Sequence, residues 1–320
     1  MTYFKVKTAV LLTGALFLSG CSFSGVSLNN SASKVREKAL NKTQEIVTKE
    51  VSVLFVGDLM FDRYIREIAV KRGSDFIFEK ISSFLKESDF IVANLEGPIT
   101  DNKSVSVGTI PGEKGHLSFT FDKSLAETLY KQNIKLVNLG NNHILNFGNS
   151  GLLQTENYLK ESNIDYFGDP ENNEKNYIIK EINGIKIGFV SYNQFGKSAE
   201  GTVDDIKNIR GKVDIIAIYG HWGKEYEKNP SDNIKNLAHS FIDAGADLII
   251  GSHPHVIQSA EDYKGKKIYY SLGNFIFDQY FSTETQKGLA VRVKINPDNK
   301  NLEFQETALF MDKNGQTKCY

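Results

Sequence analysis

Sulfur is scarce in this chain, which has two cysteines, Cys21 and Cys319, in 320 residues. That supply excludes a disulfide-stapled scaffold and a thiolate-rich metal site. A basic excess is missing too: 38 Lys and Arg stand against 39 Asp and Glu, a net charge of −1. This excludes a nucleic-acid coat and leaves no bulk attraction for a polyanion, so an anionic ligand must be held locally. The apolar run Thr8 to Leu18 is too short for a membrane span. What is present, 40% hydrophobic and 24% charged residues, is an ordinary globular composition. The length suits one large domain or two modest ones.

Lys5 and Lys7 ahead of that apolar run give residues 1–20 the form of a signal peptide. Leu18-Ser19-Gly20-Cys21 resembles the lipobox of bacterial lipoproteins, which implies cleavage after Gly20 and lipidation of Cys21. The other reading is a secretory signal with an incidental cysteine. Without residues 1–20 the chain holds 36 basic and 39 acidic residues, a net charge of −3, and Cys319 becomes the only thiol if Cys21 is lipidated. Residues 22–33 are small and polar and read as a tether. Lys34 to Lys49 suits a short helix or more tether, with the domain spanning 51–320.

From Val51 onward, apolar β-branched runs alternate with amphipathic stretches of helix length, the pattern of an α/β domain with a buried sheet. Strands are expected at Ser52–Gly57, Phe90–Leu95, Lys135–Leu139, Ile185–Ser191, Asp214–Tyr219, Asp247–Ile250 and Lys267–Leu272. Helices are expected at Asp62–Lys71, Phe76–Lys86, Lys123–Gln132, Gly151–Glu161 and Ser231–Asp243. Asn183-Gly184 marks a hairpin between Tyr177–Ile182 and Ile185–Ser191. After Gly288 only strands are expected, Leu289–Ile295 and Leu302–Phe310. Gly97 to Ser118, with two prolines and four glycines, reads as a long loop of the kind that borders sites.

Each buried run ends in side chains able to bind a metal or a phosphate. These are Asp58; Asn94 and Glu96; Asn141, Asn142 and His143; His221; His253 and His255; and Asn274. In open α/β sheets such strand ends converge on one cleft. Imidazole and carboxylate suit zinc or a harder divalent cation, and two such ions can activate water and steady a phosphoryl oxygen together. In His253-Pro254-His255 an extended segment would point both rings the same way. Any one of these residues alone is more simply a hydrogen-bonded group closing a strand; their repetition points to a site. Arg63 suits a clamp for phosphate or carboxylate, or equally a solvent-facing helix position. Glu225 and Asn274 are candidates for orienting a ligand or binding a substrate. Trp222 reads as packing, and His116 and His239 as surface or core residues outside the site.

The ordered series GDLMFDR, NLEGPIT, NLGNNH, HWGKEY, GSHPHVIQ and SLGNFIFD, from about Val51 to Asp278, resembles the CapA family of poly-γ-glutamate capsule proteins. The resemblance implies a four-layer α/β/β/α sandwich, metallophosphatase-like, with a metal cleft at one edge. It implies one or two divalent ions, Mn, Zn or Fe, at the bacterial cell envelope. By this resemblance Asp58 and His255 hold a first ion, Glu96 bridges, Asn142, His221 and His253 hold a second, and His143 is the general acid. Two positions depart from the metallophosphoesterase pattern: Met60 stands where an imidazole is usual, and the bridge is Glu rather than Asp. Three functions remain open. They are a metal-dependent hydrolase acting on poly-γ-glutamate or a phosphoester; a non-catalytic scaffold binding polymer or membrane partners of capsule synthesis; and a general metallophosphoesterase. No nucleic-acid partner is expected.

Cys21→Ser is expected to abolish lipid labelling and to release the protein from membranes or block its processing. Lipid label on a membrane-bound Cys21→Ser protein would contradict the lipobox reading.

Overall fold

The computed structural model describes residues 49–196 and 198–320. The lipobox at Leu18–Cys21, the tether and the helix considered at 34–49 therefore lie, but for the last residue of that helix, outside the described residues. No helix among the described residues is long and apolar enough to cross a membrane.

In chain order the elements are β1 (Val51–Leu59), α1 (Arg63–Arg72), α2 (Ser74–Phe78), α3 (Ser82–Leu85), β2 (Phe90–Leu95), α4 (Ser124–Lys131), β3 (Ile134–Asn138), α5 (Gly148–Glu161) and β4 (Asp165–Phe167). There follow β5 (Tyr177–Ile182), β6 (Ile185–Asn193), α6 (Ala199–Arg210), β7 (Ile215–His221), α7 (Asp232–Ala244), β8 (Leu248–Ser252), β9 (Ala260–Tyr263) and β10 (Lys266–Tyr269). The last are β11 (Asn274–Ile276), β12 (Lys287–Ile295), β13 (Leu302–Met311) and β14 (Thr317–Cys319). One sheet runs β14-β13-β12-β1-β2-β3-β4, with β11 joining β1; the other runs β5-β6-β7-β8-β10-β9. β1 to β4 are parallel, as are β6, β7, β8 and β10.

Why the strands read as unbroken apolar runs follows from their burial. On β1, Val51, Val53 and Phe55 face the second sheet, where they meet Ile187, Phe189 and Tyr219. Leu54 and Val56 face the other way, onto Ile65, Phe78 and Leu125 of the first helical layer. Ile216, Ile218 and Ile249 of the second sheet are covered by Ile206, Phe241 and Trp222. Covered on both faces, the central strands β1, β2 and β7 need no polar side until they end, whereas the edge strands β5 and β9 alternate. The result is the four-layer α/β/β/α sandwich that the resemblance implied.

The hairpin turns at Asn183-Gly184, with φ of 50° and 81°, as a two-residue turn of that composition requires. Ser231 caps α7, its side chain accepting from the Ile234 N–H. The single helix expected over Phe76–Lys86 is instead two short ones. The Phe76 carbonyl accepts from Gln316 Nε2 at 3.0 Å and from the Glu79 N–H at 3.3 Å, so the continuous i→i+4 ladder is interrupted there. α6 was not expected: its buried stripe is only Thr202, Ile206 and Ile209, too sparse for a periodicity argument.

β11 replaces β12 as the partner of β1 near the cleft, and the handover puts two backbones in close approach. A Cβ on Gly57 would lie 1.8 Å from the Gly273 carbonyl oxygen. Gly57→Ala is therefore expected to cost about 2 kcal/mol or more in denaturant unfolding. Gly211→Ala, where a Cβ meets nothing within 4 Å, should stay within about 0.5 kcal/mol of the parent. Equal stability of the two variants would contradict this account of the handover.

Candidate metal centre

Strand register carries the predicted site residues to one end of both sheets. Asp58 on β1 lies opposite Asn94 on β2 and Asn274 on β11, and Asn94 opposite Asn138 on β3. His221 on β7 lies opposite Ser252 on β8. Glu96 follows β2, Asn141-Asn142-His143 follow β3, and His253-Pro254-His255 follow β8. The one exception to expected geometry is the last segment. His253 and His255 have φ of 93° and 56°, so it is a tight bend of left-handed residues and not an extended one. Such conformations cost of order 1–3 kcal/mol each and here turn both rings into the site.

Hydrogen bonds fix most of these side chains by elimination, ring tautomers and amide orientations being assigned from the network. Asn94 Oδ1 accepts from Asn138 Nδ2 and Asn141 Nδ2, both at 3.1 Å, so its Nδ2 faces Asp58 Oδ1 at 2.8 Å. Asn94 is thus a hub that holds Asp58, with both ends of its amide engaged. Asn274 Nδ2 donates to the Thr285 carbonyl at 3.0 Å and to Gln279 Oε1 at 3.1 Å. Its Oδ1 therefore accepts from His255 Nδ1 at 2.9 Å, which turns His255 Nε2 toward Glu96 Oε1, 3.5 Å away. Asn141 Oδ1 accepts from the His143 N–H at 3.0 Å. Asn146 Oδ1 accepts from the Phe119 N–H at 2.8 Å and from His143 Nδ1 at 3.1 Å, so Nε2 is the free nitrogen of His143, 4.0 Å from Glu96 Oε1.

The same reasoning reaches His221. His221 Nδ1 lies 3.0 Å from the Ser252 hydroxyl and 3.2 Å from Asn94 Nδ2, a donor, so Nδ1 is the accepting nitrogen of this ring. His221 Nε2 then donates to Asn142 Oδ1 at 2.8 Å, which joins these two metal-ligand candidates directly.

Of four buried side-chain polar atoms without a hydrogen-bond partner among the described residues, two, Glu96 Oε1 and His253 Nδ1, lie in this site. Buried polar atoms in native structures are nearly always satisfied. Burial, and then the adjacent Asp58 charge, drive the Glu96 carboxyl well above its usual range. Burial holds His221 well below the usual imidazole range and lowers His143 and His253 to about 4. Neutral imidazoles beside crowded carboxylates are the form a divalent cation takes up, so the residues fit a metal ion.

Ligand atoms of Asp58, Glu96 and His221 lie within 4.8 Å of one another, as do those of Glu225, His253 and His255. These groups overlap the sets the resemblance implied: His255 Nδ1 is 3.3 Å from Asp58 Oδ2 and its Nε2 3.5 Å from Glu96 Oε1, while the His221 and His253 ring centroids lie 4.7 Å apart. Glu225 stands with His253 and His255 as a potential ligand, beyond the orienting role expected for it. Met60 Sδ accepts from the Asp62 N–H at 3.0 Å and does not replace the missing imidazole.

Arg63 is buried and paired with Asp278, which overturns the solvent-facing reading. His116, excluded on sequence, lines a cleft of about 1000 Å³ together with Arg63, His143, Glu225 and His255. The long loop expected to border a site does so through Thr109, Glu113, His116 and Ser118. Nothing in the periodicity of that loop could have placed His116. His239 stacks on Tyr263 with ring centroids 3.8 Å apart and pairs with Glu261, and Trp222 is fully buried, donating to the Tyr270 carbonyl at 2.9 Å.

Residues 52–279 match a family model described as bacterial capsule synthesis protein. The chain is similar to the capsule biosynthesis protein CapA of Bacillus anthracis, 32% identical over 76% of this chain and 64% of that protein. It is similar to the PGA biosynthesis protein CapA of Bacillus subtilis (strain 168), 32% identical over 72% of this chain and 64% of that one. The chain thus spans somewhat less than two thirds of the length of either relative. Among solved structures, TT1561 of Thermus thermophilus aligns over 80% of this chain and 99% of its own, with 10% identity and a TM-score of 0.45.

His221→Ala and His253→Ala should each lower the affinity for a bound transition metal by about a hundredfold or more, a ligand mattering at least as much as its supporting residues. Elemental analysis after dialysis checks this, with His239→Ala as the unaffected comparison. Unchanged metal content in both variants would remove the basis for a metal centre.

Proposed function

Because the chain belongs to the bacterial capsule synthesis protein family, we propose that it acts in the synthesis, export or anchoring of poly-γ-glutamate capsule at the bacterial envelope. The centre at the strand ends is, in this reading, a metal-dependent hydrolase-type site acting on the γ-glutamyl polymer or on a phosphoester. The observation that carries it is the pair of buried atoms without partners, Glu96 Oε1 and His253 Nδ1, inside a cluster of carboxylates and imidazoles whose ligand atoms lie within reach of one ion. Asp58, Glu96, Asn142, His221, His253 and His255 would hold the ion or ions, with Glu225 beside the two latter histidines. Manganese, zinc or iron suits this nitrogen and oxygen donor set. When bound, a divalent ion supplies Lewis-acid polarisation of the scissile group.

The chain's own residues supply the rest. Asn94 and Asn274 fix Asp58 and His255, so the donor set is preorganised. His143 is held by Asn141 and Asn146 with Nε2 free, and is the group that exchanges a proton with substrate. Burial keeps it neutral near pH 7, so it takes up the proton it later donates as general acid only beside a negative charge. A lipid anchor at Cys21 would hold the domain at the membrane, within reach of membrane-bound partners of capsule synthesis.

One observation favours the non-catalytic alternative, in which the same centre binds polymer or a partner: Met60 occupies the usual imidazole position and its sulfur is already engaged. His143→Ala separates the two. An enzyme should keep its metal content and fold but lose turnover by about a hundredfold or more, because His143 is not a ligand. Turnover of a phosphodiester and of poly-γ-glutamate is measured with added manganese or zinc, beside capsule formation in cells. Normal capsule with His143→Ala and no turnover by the parent protein would leave the scaffold reading. Turnover of phosphodiesters with no effect on capsule would point to a general metallophosphoesterase.

A further inference from the structure

Nine non-glycine residues among those described have positive φ, and four of them cluster here: Arg63, Tyr226 and His255 line one cleft, and His253 stands beside His255. Backbone in this region is strained for residues other than glycine and concentrates at functional positions. Two of the four are accounted for as metal-ligand candidates. Arg63, at φ 48°, is not, and its surroundings are unusually complete.

Arg63 Nε donates to Asp278 Oδ2 at 3.2 Å while Nη2 donates to Asp278 Oδ1, a two-bond fork. Nη1 lies 3.1 Å from His116 Nε2. Thr109 Oγ1 donates its proton to the Ser106 carbonyl at 2.6 Å, so it accepts from His116 Nδ1 at 2.9 Å. His116 Nε2 is therefore the bare nitrogen and accepts from Arg63. The guanidinium carbon sits 5.0 Å from the Phe119 ring centre and 5.5 Å from that of Phe277. Those rings pack in turn on His143 and His255, with centroids 4.4 and 4.8 Å apart. Of the five N–H groups on an arginine side chain, this arrangement engages three. Two remain, on a cation clamped from several directions in the cleft that also contains His143.

Resting on the hydrolase-type reading, we propose that Arg63 recognises the substrate, its two unengaged N–H groups gripping one oxyanion, a carboxylate or a phosphate oxygen, next to the scissile group. Asp278 and His116 are positioning residues that aim it. Among the described residues Arg63 is the only Lys or Arg lining the cleft, whereas Glu67, Glu113, Glu225 and Asp278 are acids. The cleft thus accepts a single oxyanion and repels a run of them, which matches one glutamyl unit or one phosphoryl group at a time and not a stretch of polyanion laid along the wall.

The test uses the full chain loaded with manganese and measures binding of γ-glutamyl-glutamate and, separately, of inorganic phosphate by calorimetry. Arg63→Gln alone strands the buried Asp278 charge and can fail to fold, so Arg63→Gln/Asp278→Asn is made beside it and Arg63→Lys is the conservative variant. The double variant should keep its manganese content and melting temperature but bind at least one probe about tenfold or more weakly, the usual scale for lost charge-assisted bonds. Arg63→Lys should recover part of that loss. Weakening confined to the dipeptide identifies the oxyanion as a carboxylate, and weakening confined to phosphate identifies it as a phosphoryl group. Parental affinity of the double variant for both probes, or no binding of either by the parent, overturns the proposal. Weakened probe binding in a protein without turnover would instead leave this site standing while the hydrolase reading falls.

Discussion

Asp58 and Glu96 are both fully buried, side by side, and among the described residues neither pairs with a lysine or arginine. Taking two carboxylates out of water is among the costliest things a fold can do. The protein meets that cost only in part. Asn94 donates to Asp58, as does the His253 N–H at 3.2 Å, but Glu96 Oε1 receives nothing. Burial holds His143, His221 and His253 below the usual imidazole range, and His255 lies against both carboxylates, 3.3 Å from Asp58 and 3.5 Å from Glu96. The arrangement fits a cation, and the rest of the structure serves to hold these groups in place.

It does so through the sandwich. Sheets covered on both faces force polar residues to the strand ends, and two sheets packed face to face bring those ends together. The inter-sheet core of Val53, Phe55, Ile187, Phe189 and Tyr219 sets their spacing, and Tyr219 Oη reaches across to the Val56 carbonyl just before Asp58. Close backbone approach at Gly57 brings β11 in, and with β11 comes Asn274, which orients His255. The chemistry at the corner is thus a property of the core behind it, and a change to packing well away from the ligands would be felt as a change in their spacing.

Much of this was legible in the sequence because burial and strand periodicity are local signals. The runs ending at Asp58, Asn94 and His221 announce both a strand and what lies at its end. The Asn-Gly turn and the Ser231 cap carry their conformations in their chemistry. Less legible was whatever depended on contacts distant in the chain. His116 meets Arg63 across 53 positions and Asp278 meets Arg63 across 215, and no spacing rule joins them. The bend at His253-Pro254-His255 looked extended because proline suits extension; the left-handed backbone on either side of it is imposed by the surrounding structure. The grouping of His221 with the two carboxylates, and of Glu225 with His253 and His255, likewise depends on how far apart the two sheets stand.

The most direct test of the central claim is calorimetric titration of the metal-free protein with manganese and with zinc at neutral pH, in buffers of different ionisation enthalpy. The account predicts binding accompanied by net proton release, since burial and the Asp58 charge raise the Glu96 carboxyl and a bound metal favours its charged form. Absence of binding by either ion, or binding that releases no proton, would contradict it.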